Sequence, residues 1–520
     1  MEERFPRRRL ARSTAIVSLA TALSRALGLV REMVTAYYFG VRGPINAFTV
    51  AFQIPNLVRI VISDAALSAA FVPVFSELLE KGDRRRAWRV ASTVLWLLLL
   101  VLGGVTALFV LVAPLVVPAV IAEYDDLAVT LAQLLFPIVV LLGVSGIVVA
   151  ILNSYDHFTV PALTPVAWNL VIIAGLVLGV PRVEATETKL YLYAAVIVLG
   201  TLVQVLLPFP WLRGRDDRLR VVVDWRDPAV RRVFVLMLPV TLSLGLINLN
   251  QVIGTFVAAR WIDATIAPTA IDKAFRLYML PQGMFSVAIA TVLFPSLARL
   301  AARADVDGFR RTVGRGLRQI AFLLVPASVA SAVLAEPIVR VIYERGEFEP
   351  DQTPVVAAAL AAFSLGLTFN GAMLLLNRAF FGLQQARTPT LVAGANLVLN
   401  TALYGAFYRV GAWGVPLAIS LANVAGAAAL LWLLRRRIGS IELRETAAAV
   451  ARIAVAAAGS GAVMYAIAVG VEASLGRGLV AQLATVAAAL AAGAASYVAL
   501  CRVLGVRELQ ALLSLRRRGG

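Results

Sequence analysis

Long apolar runs follow one another through this chain of 520 residues, with only short loops between them. A helix that crosses a bilayer needs about 20 mostly apolar residues, and every run reaches that length. Backbone groups inside lipid must bond to one another, so runs this long cross as helices. The sequence therefore predicts an all-α polytopic membrane protein with about fourteen transmembrane helices. The runs are 13–39, 45–79, 88–118, 127–152, 160–180, 190–212, 232–260, 267–298, 316–341, 354–383, 388–408, 412–434, 447–471 and 478–506.

Lysine and arginine cluster in one set of alternate loops, for example at 81–89, 213–232 and 303–315. The other loops are sparse in charge or acidic, as at 123–126. Because cytoplasmic loops are enriched in Lys and Arg, this pattern predicts cytoplasmic termini and an even number of spans. The basic N-terminal residues resemble the start of a secretory signal. Charges in the apolar run behind them favour a retained first helix instead.

An internal repeat divides the chain. Residues 152–170 (LNSYDHFTVPALTPVAWNL) resemble 376–397, and residues 71–79 (FVPVFSELL) resemble 293–301. Corresponding positions lie 222 to 228 residues apart, as 295 − 73 and 389 − 161 for matched prolines show. Such repeats are common in secondary transporters. We predict two pseudo-symmetric six-helix lobes, at 1–220 and 221–440, and two further helices at 441–520.

Charged residues interrupt the apolar runs of both halves. Each costs roughly 2.5–3.5 kcal/mol at mid-bilayer, so we expect them to face a water-filled cavity or a ligand. Arginines outnumber acids there, and guanidinium matches phosphate oxygens bidentately, which favours an anionic ligand. Interhelical ion pairs or snorkelling to the interface are the alternative, and the favoured one for Arg340, Arg378 and Arg452 near span ends. The interrupting residues are Arg25, Arg31, Glu32, Arg59 and Asp64 in the first half, and Asp272, Lys273 and Arg276 in the second.

Catalytic and metal-binding motifs are absent from the sequence. The single cysteine, Cys501, excludes a disulfide framework, and the single histidine, His157, argues against a histidine-based metal site. No Walker sequence occurs, so we expect no ATP hydrolysis. The net charge of +18 is explained by loop topology and does not indicate a nucleic-acid partner. The sequence favours a transporter without a cofactor over an enzyme.

Five segments stand out as an ordered series of motifs: SRALGLVRE, FGVRGPINAFTVAFQIPNLVRIVISDAALSAAFVPVFSEL, LNSYDHFTVPALTPVAWNL, YERGEFEPDQT and NRAFFGLQQARTP. Together they resemble the MurJ (MviN) family of lipid II flippases. The resemblance covers about residues 13–440 and keeps the order of the family's motifs. It implies the fold of the multidrug/oligosaccharidyl-lipid/polysaccharide exporter superfamily, with two six-helix lobes around a central cavity and two further helices, in the bacterial cytoplasmic membrane.

The resemblance also implies an activity and site residues. Family members move undecaprenyl-diphosphate-linked peptidoglycan precursor, lipid II, from the inner to the outer leaflet. The family's cavity arginines match Arg25, Arg31, Arg59 and Arg276, and its last two helices form a groove for the lipid tail. Lipid II, membrane lipids and cell-wall synthesis machinery are the implied partners. Residues expected to support or gate the cavity are Glu32, Asn46, Asn56, Asp64 and Asn169.

Two departures from the family pattern affect these expectations. Asn46 stands where the family usually has an aspartate, and Asp64-Ala65 replaces the usual Glu-Gly. Some family members bind sodium through carboxylates in the second lobe. The corresponding candidates here are uncharged, so we predict no metal site. These weak sodium candidates are Asn250, Asn396 and Asn400.

Transport would proceed by alternating access, driven by the membrane potential or by exchange of an unidentified ion. A flippase for another polyprenyl-linked glycan is one alternative. A drug exporter is less favoured, because cationic drugs need an acidic cavity. A polyprenyl-phosphate transferase would need a carboxylate pair or a histidine at an interface. A non-transporting scaffold for cell-wall enzymes predicts that function survives neutralisation of the cavity arginines.

Overall fold

The computed structural model describes residues 4–62, 64–121, 123–440 and 442–510. Within these ranges the chain is helical between short turns and contains no β-strand. The predicted all-α architecture is therefore confirmed. The chain forms two compact units, Met1–Arg260 and Trp261–Gly520.

The helices are numbered in chain order. The first unit contains α1 (Arg4–Phe39), α2 (Ile45–Ile62), α3 (Asp64–Glu80), α4 (Arg84–Val120), α5 (Asp125–Leu135), α6 (Ile138–Ser154), α7 (Thr159–Gly179), α8 (Thr186–Leu206) and α9 (Pro228–Val257). The second contains α10 (Ala267–Pro281), α11 (Val287–Ala302), α12 (Val306–Val333), α13 (Ala335–Tyr343), α14 (Thr353–Gly382), α15 (Arg387–Phe407), α16 (Gly414–Ile438), α17 (Leu443–Leu475) and α18 (Leu479–Val503).

Eleven helical segments among the described residues are long and apolar enough to cross a membrane. They coincide with eleven of the predicted runs, which confirms a polytopic membrane protein. The other three runs, 13–39, 45–79 and 232–260, contain residues whose side chains lie outside the described set. A total of about fourteen spans therefore stays a prediction.

The internal repeat appears as a shared helix junction in the two units. Gly82 has a φ of 78°, and Asp83 follows it as the N-cap of α4. Ala304 has a φ of 54°, and Asp305 follows it as the N-cap of α12. Each aspartate accepts a hydrogen bond from the backbone N–H three residues on, at 3.3 Å and 2.8 Å. The junctions lie 305 − 83 = 222 residues apart, the offset of the matched prolines, so the repeat extends to local backbone conformation.

The core of the first unit lies where α3 and α4 pack against α6. Phe71, Phe75, Trp88 and Ile147 are almost completely buried there. On another side of the unit, α1 packs on α7, and α7 packs on α8. This second set of contacts places the charged part of α1 against neighbouring helices of its own unit.

The basic segment before α9 is attached to the start of α4. The hydroxyl of Ser92 accepts a hydrogen bond from the backbone N–H of Arg220 at 3.0 Å. At the end of the segment, Arg86 donates to both carboxylate oxygens of Asp227, at 3.0 Å and 2.9 Å. Asp227 also caps α9, since it accepts from the backbone N–H of Ala229 at 2.8 Å. The Asp227 carboxylate thus connects α4 to the first turn of α9.

The Asp227 clamp predicts a pH dependence of stability. Hydrogen bonds from Arg86, with the smaller help of the Ala229 N–H, hold the pKa of Asp227 below its ordinary value despite partial burial. A lowered folded-state pKa stabilises the protein above the unfolded pKa of about 4, and this contribution is lost as the pH falls through the folded value. We expect wild type to unfold at a higher temperature than Asp227→Asn at pH 7, with the difference shrinking below about pH 4. Thermal unfolding in detergent measures it.

The matched control for this prediction is Asp307→Asn, because Asp307 is 73% exposed and its ion pair is with Arg310, three residues along the same helix. Its unfolding temperature should stay near that of wild type at every pH. A difference between wild type and Asp227→Asn that is equally large at pH 3 and pH 7 would contradict the clamp.

In the second unit, α14 packs against α10, α12 and α16, and the hairpin of α17 and α18 packs on α12. The phenol of Tyr497 on α18 donates to the backbone carbonyl of Phe322 on α12 at 2.7 Å. Within the hairpin, the hydroxyl of Ser460 donates to the carbonyl of Gly493 at 2.7 Å. These bonds satisfy buried hydroxyls between helices, which fixes how the last two helices lie within their unit.

Arg340 joins α13 to the same hairpin. Its side chain is 8% exposed and pairs with Glu336 at 2.5 Å and with Glu472 on α17 at 3.0 Å. Glu344 lies 3.7 Å from its Nε. The interpretation of Arg340 as an interhelical ion-pair residue is confirmed.

The boundary between the compact units lies after Arg260. Helix α9, which the sequence assigned to the second lobe, packs on α2, α3 and α4. The reason is local, because apolar residues at the start of α9 join the α3–α4 core and Asp227 is bonded to α4. The lobe limits 1–220, 221–440 and 441–520 stay a prediction.

Candidate functional site

Arg31 is the best-defined of the predicted site residues. It lies on α1, and its side chain is 11% exposed. Its Nη2 donates to Glu32 Oε1 at 2.5 Å, and its Nη1 donates to Asn169 Oδ1 on α7 at 3.2 Å. Its guanidinium also lies over the ring of Trp168, 4.6 Å from the centroid. The sequence predicted that Glu32 and Asn169 support or gate the cavity. Both residues contact Arg31, and their role in the cavity stays a prediction.

Asn169 is itself held in place. Its Nδ2 donates to the backbone carbonyl of Pro165 at 2.9 Å and lies 3.4 Å from the carbonyl of Ser24. Because the amide nitrogen is bound to carbonyls, the amide oxygen is directed to Arg31. The side chain is 4% exposed, so this orientation is fixed by packing as well as by hydrogen bonds.

Arg25 differs from Arg31 although both lie on α1. Its side chain is exposed, and it forms no ion pair with any residue that the structure describes. The six-residue spacing turns the two side chains about 240° apart around the helix, so they cannot share one stripe. Arg59 on α2 and Asp64 on α3 were predicted to belong to the same site. Their side chains lie outside the described residues.

Asn46 is completely buried at the start of α2. Its Nδ2 donates to the backbone carbonyls of Val41 and Gly43, each at 3.0 Å. An asparagine can make these bonds, whereas an ionised aspartate has no donor for them. The residue therefore closes the turn between α1 and α2. Asn56, the other amide predicted on α2, is partly buried and also has a polar partner.

In the second unit, Arg276 lies on α10 with its side chain 35% exposed. Its Nη2 and Nε lie 3.2 Å and 3.4 Å from the carboxylate oxygens of Asp272, one turn earlier. Lys273 on the same helix is buried, with its ammonium 5.7 Å from the ring centroid of Tyr343. Helix α10 then ends at Pro281, and a π-helical turn, Gln282–Ser286, leads into α11.

The three weak sodium candidates are asparagines, so they supply amide oxygens and no carboxylate. Asn400 is buried, and its Oδ1 has no hydrogen-bond partner among the described residues. Asn396 places its Nδ2 3.9 Å from the sulfur of Met373. Asn250 belongs to the first unit and is partly buried. No group of three or more His, Cys, Asp or Glu side chains suited to a metal ion was found among the described residues.

Sequence reasoning missed Trp168 and Thr201. Trp168 lies beside Asn169 in the motif PVAWNL, yet nothing in the spacing showed that its ring faces α1. Its Nε1 donates to the hydroxyl of Thr201 on α8 at 3.2 Å. Only the packing of α1, α7 and α8 reveals this contact.

Two all-helical units whose long apolar helices carry charged side chains define a polytopic membrane protein. Solved structures share this fold. The lipid II flippase MurJ in an inward closed conformation matches with a TM-score of 0.77 and 23% identity, over 94% of this chain and 98% of that one. An inward-facing multidrug resistance transporter of the MATE family, in the MOP superfamily, matches with a TM-score of 0.68 and 18% identity, over 81% and 95% of the two chains.

Sequence comparison identifies the family. A probable lipid II flippase MurJ of Vibrio cholerae is 32% identical over 518 residues, which are 96% of this chain and 97% of the relative. The lipid II flippase MurJ of Burkholderia cenocepacia is 29% identical over 82% of this chain and 84% of the relative. The sequence model of the lipid II flippase MurJ family matches residues 35–480. The chain belongs to this family, and the resemblance found in the sequence is confirmed.

Proposed function

We propose that this chain is a lipid II flippase of the bacterial cytoplasmic membrane. The family match over residues 35–480 is the observation that carries the proposal. The fold, the spans and the relatives named as lipid II flippases support it. The protein would move the undecaprenyl-diphosphate-linked precursor from the inner to the outer leaflet. Both termini would be cytoplasmic, as the loop charges predict.

The diphosphate is the part of the substrate that arginines recognise. We propose that the residues that bind it are Arg25, Arg31, Arg59 and Arg276. Arg31 supports this role because Glu32 and Asn169 each bond to one of its terminal nitrogens, and each of these nitrogens carries a second N–H that a phosphate oxygen could accept. In alternating access, one set of contacts would form with substrate on the cytoplasmic side and be released outside.

The lipid tail would remain in the bilayer beside α17 and α18. Apolar side chains of these helices are exposed, among them Val455, Val469, Leu483 and Leu490. Movement would be driven by the membrane potential or by ion exchange, with no cofactor. Each elementary charge that crosses 100 mV supplies about 2.3 kcal/mol, enough to bias a transport step.

The test is whether this chain replaces a flippase in living cells. It is expressed in bacteria whose own lipid II flippase is depleted, and lipid II in the outer leaflet is labelled with an impermeant reagent. Labelling at the level of undepleted cells is expected. An inserted, stable protein that leaves lipid II in the inner leaflet would refute the proposal. Export of a different polyprenyl-linked glycan, detected in the same cells, would favour the nearest alternative.

A further inference from the structure

Arg31 is the end point of a series of contacts that crosses three helices. On α8, the hydroxyl of Thr201 donates to the backbone carbonyl of Ile197 at 2.8 Å. That hydroxyl accepts the indole N–H of Trp168, at 3.2 Å, from α7. The face of the indole then lies 4.6 Å below the Arg31 guanidinium of α1. Thr201 is 1% exposed, so the first link lies in the interior of the unit.

The contacts restrict Arg31 without using up its hydrogen-bonding capacity. A guanidinium has five N–H groups in a fixed plane. Glu32 and Asn169 take one each, at Nη2 and Nη1. The ring of Trp168 attracts the cation through its face and takes no N–H group. The second N–H of each terminal nitrogen therefore remains for an anion, while the ring of Trp168 restricts where the guanidinium lies.

We propose that Trp168 and Thr201 are positioning residues that hold the Arg31 guanidinium in the plane that receives the substrate diphosphate. The proposal rests on the proposed function, because it assumes that Arg31 binds the diphosphate. Trp168 does not touch the substrate in this scheme. It acts through Arg31, and Thr201 acts through Trp168 by fixing the rotation of the indole. Neither residue belongs to the set that the sequence predicted.

The test measures the dissociation constant for undecaprenyl diphosphate with the full-length protein in detergent. Trp168→Leu removes the ring and should raise the dissociation constant about 3- to 10-fold, the range expected from an exposed or partly buried cation–π contact. Trp168→Phe keeps a ring and should stay within about 3-fold of wild type. Thr201→Val keeps shape but removes the acceptor of the indole N–H, and should raise the constant about 2- to 3-fold.

Matched controls separate positioning from stability. Trp88→Phe removes another buried indole N–H, which bonds to Tyr155 at 3.2 Å far along the chain from Arg31. Thr164→Val removes a buried hydroxyl on α7 whose hydrogen bond to the carbonyl of Pro161, at 2.9 Å, stays within its own helix. Both should leave the dissociation constant unchanged, whatever they do to the unfolding temperature.

A double-mutant cycle decides the mechanism. In an Arg31→Gln background, Trp168→Leu should have no further effect on binding, since it acts only through the arginine. An effect of equal size in both backgrounds would overturn the proposal and leave Trp168 with a general structural role.

The single variants separate the two roles. If Arg31→Gln itself binds undecaprenyl diphosphate as wild type does, the diphosphate role of Arg31 fails, and the positioning role of Trp168 and Thr201 fails with it. If Arg31→Gln loses binding while Trp168→Leu and Thr201→Val do not, only the positioning role fails. Should Trp168→Leu not fold, Thr201→Val and Trp168→Phe supply the comparison.

Discussion

An Arg25→Gln variant is expected to fold as wild type does and to lose lipid II translocation. Arg25 is exposed and forms no ion pair with the described residues, so its neutralisation leaves no buried carboxylate behind. If its role is to bind the diphosphate, the variant loses a charge-assisted hydrogen bond worth about 1.5–3 kcal/mol, or roughly ten- to a hundred-fold in transport. The leaflet-accessibility assay in depleted cells measures this loss. Arg59→Gln should behave in the same way.

Arg25→Gln tests the binding role more directly than Arg31→Gln, because it breaks no ion pair among the described residues. Arg31→Gln also removes an ion pair of the nearly buried Glu32, so a loss of transport by this variant is interpreted together with its unfolding temperature. Arg85→Gln is the matched control, because Arg85 is an exposed arginine at the start of α4, outside the proposed site. It should translocate normally. Normal translocation by both Arg25→Gln and Arg59→Gln would contradict the cationic binding site and favour a scaffold.

Arg340→Gln is expected to lower the free energy of unfolding by about 3–5 kcal/mol, the usual cost of removing one member of a buried ion pair. Arg340 is 8% exposed, and the variant would remove the guanidinium that neutralises Glu344, which is 16% exposed, while Glu472 would keep its ion pair with Arg477. The pair joins α13 to the α17–α18 hairpin, so the hairpin should separate first. Thermal unfolding in detergent, with protease cleavage at the 476–478 turn, measures both effects.

Arg477→Gln is the matched control for this second experiment. Arg477 bonds the same Glu472 carboxylate at 2.8 Å but is 75% exposed. An exposed ion pair contributes about 0–1 kcal/mol, so this variant should unfold near wild type. Equal destabilisation by the two variants would show that burial of Arg340 does not set its importance.

The structure also gives a reason for one departure from the family pattern. The sequence raised the question of what replaces the missing charge at Asn46. Its amide donates to two backbone carbonyls in a fully buried turn, a task for which a carboxylate lacks the donors. At this position the residue has a structural role that its type alone did not reveal.

The fold class, the assignment to a membrane, the repeat and the family could all be predicted from the sequence. These follow from run length, loop charge and ordered motifs, which are local properties of the chain. The Asp83 and Asp305 caps lie at the offset predicted by the repeat, because capping depends on a few neighbouring residues.

Tertiary structure alone decided which charges are paired. Glu32 follows Arg31 in the chain and pairs with it, whereas the Arg340 guanidinium pairs with Glu472, which lies 132 residues further along the chain. Helical periodicity gives the side of a helix on which a residue lies, but not the neighbour that packs there. For the same reason, the sequence did not predict the contact between Trp168 and Arg31. That contact depends on the packing of α1 against α7, which places the guanidinium over the indole.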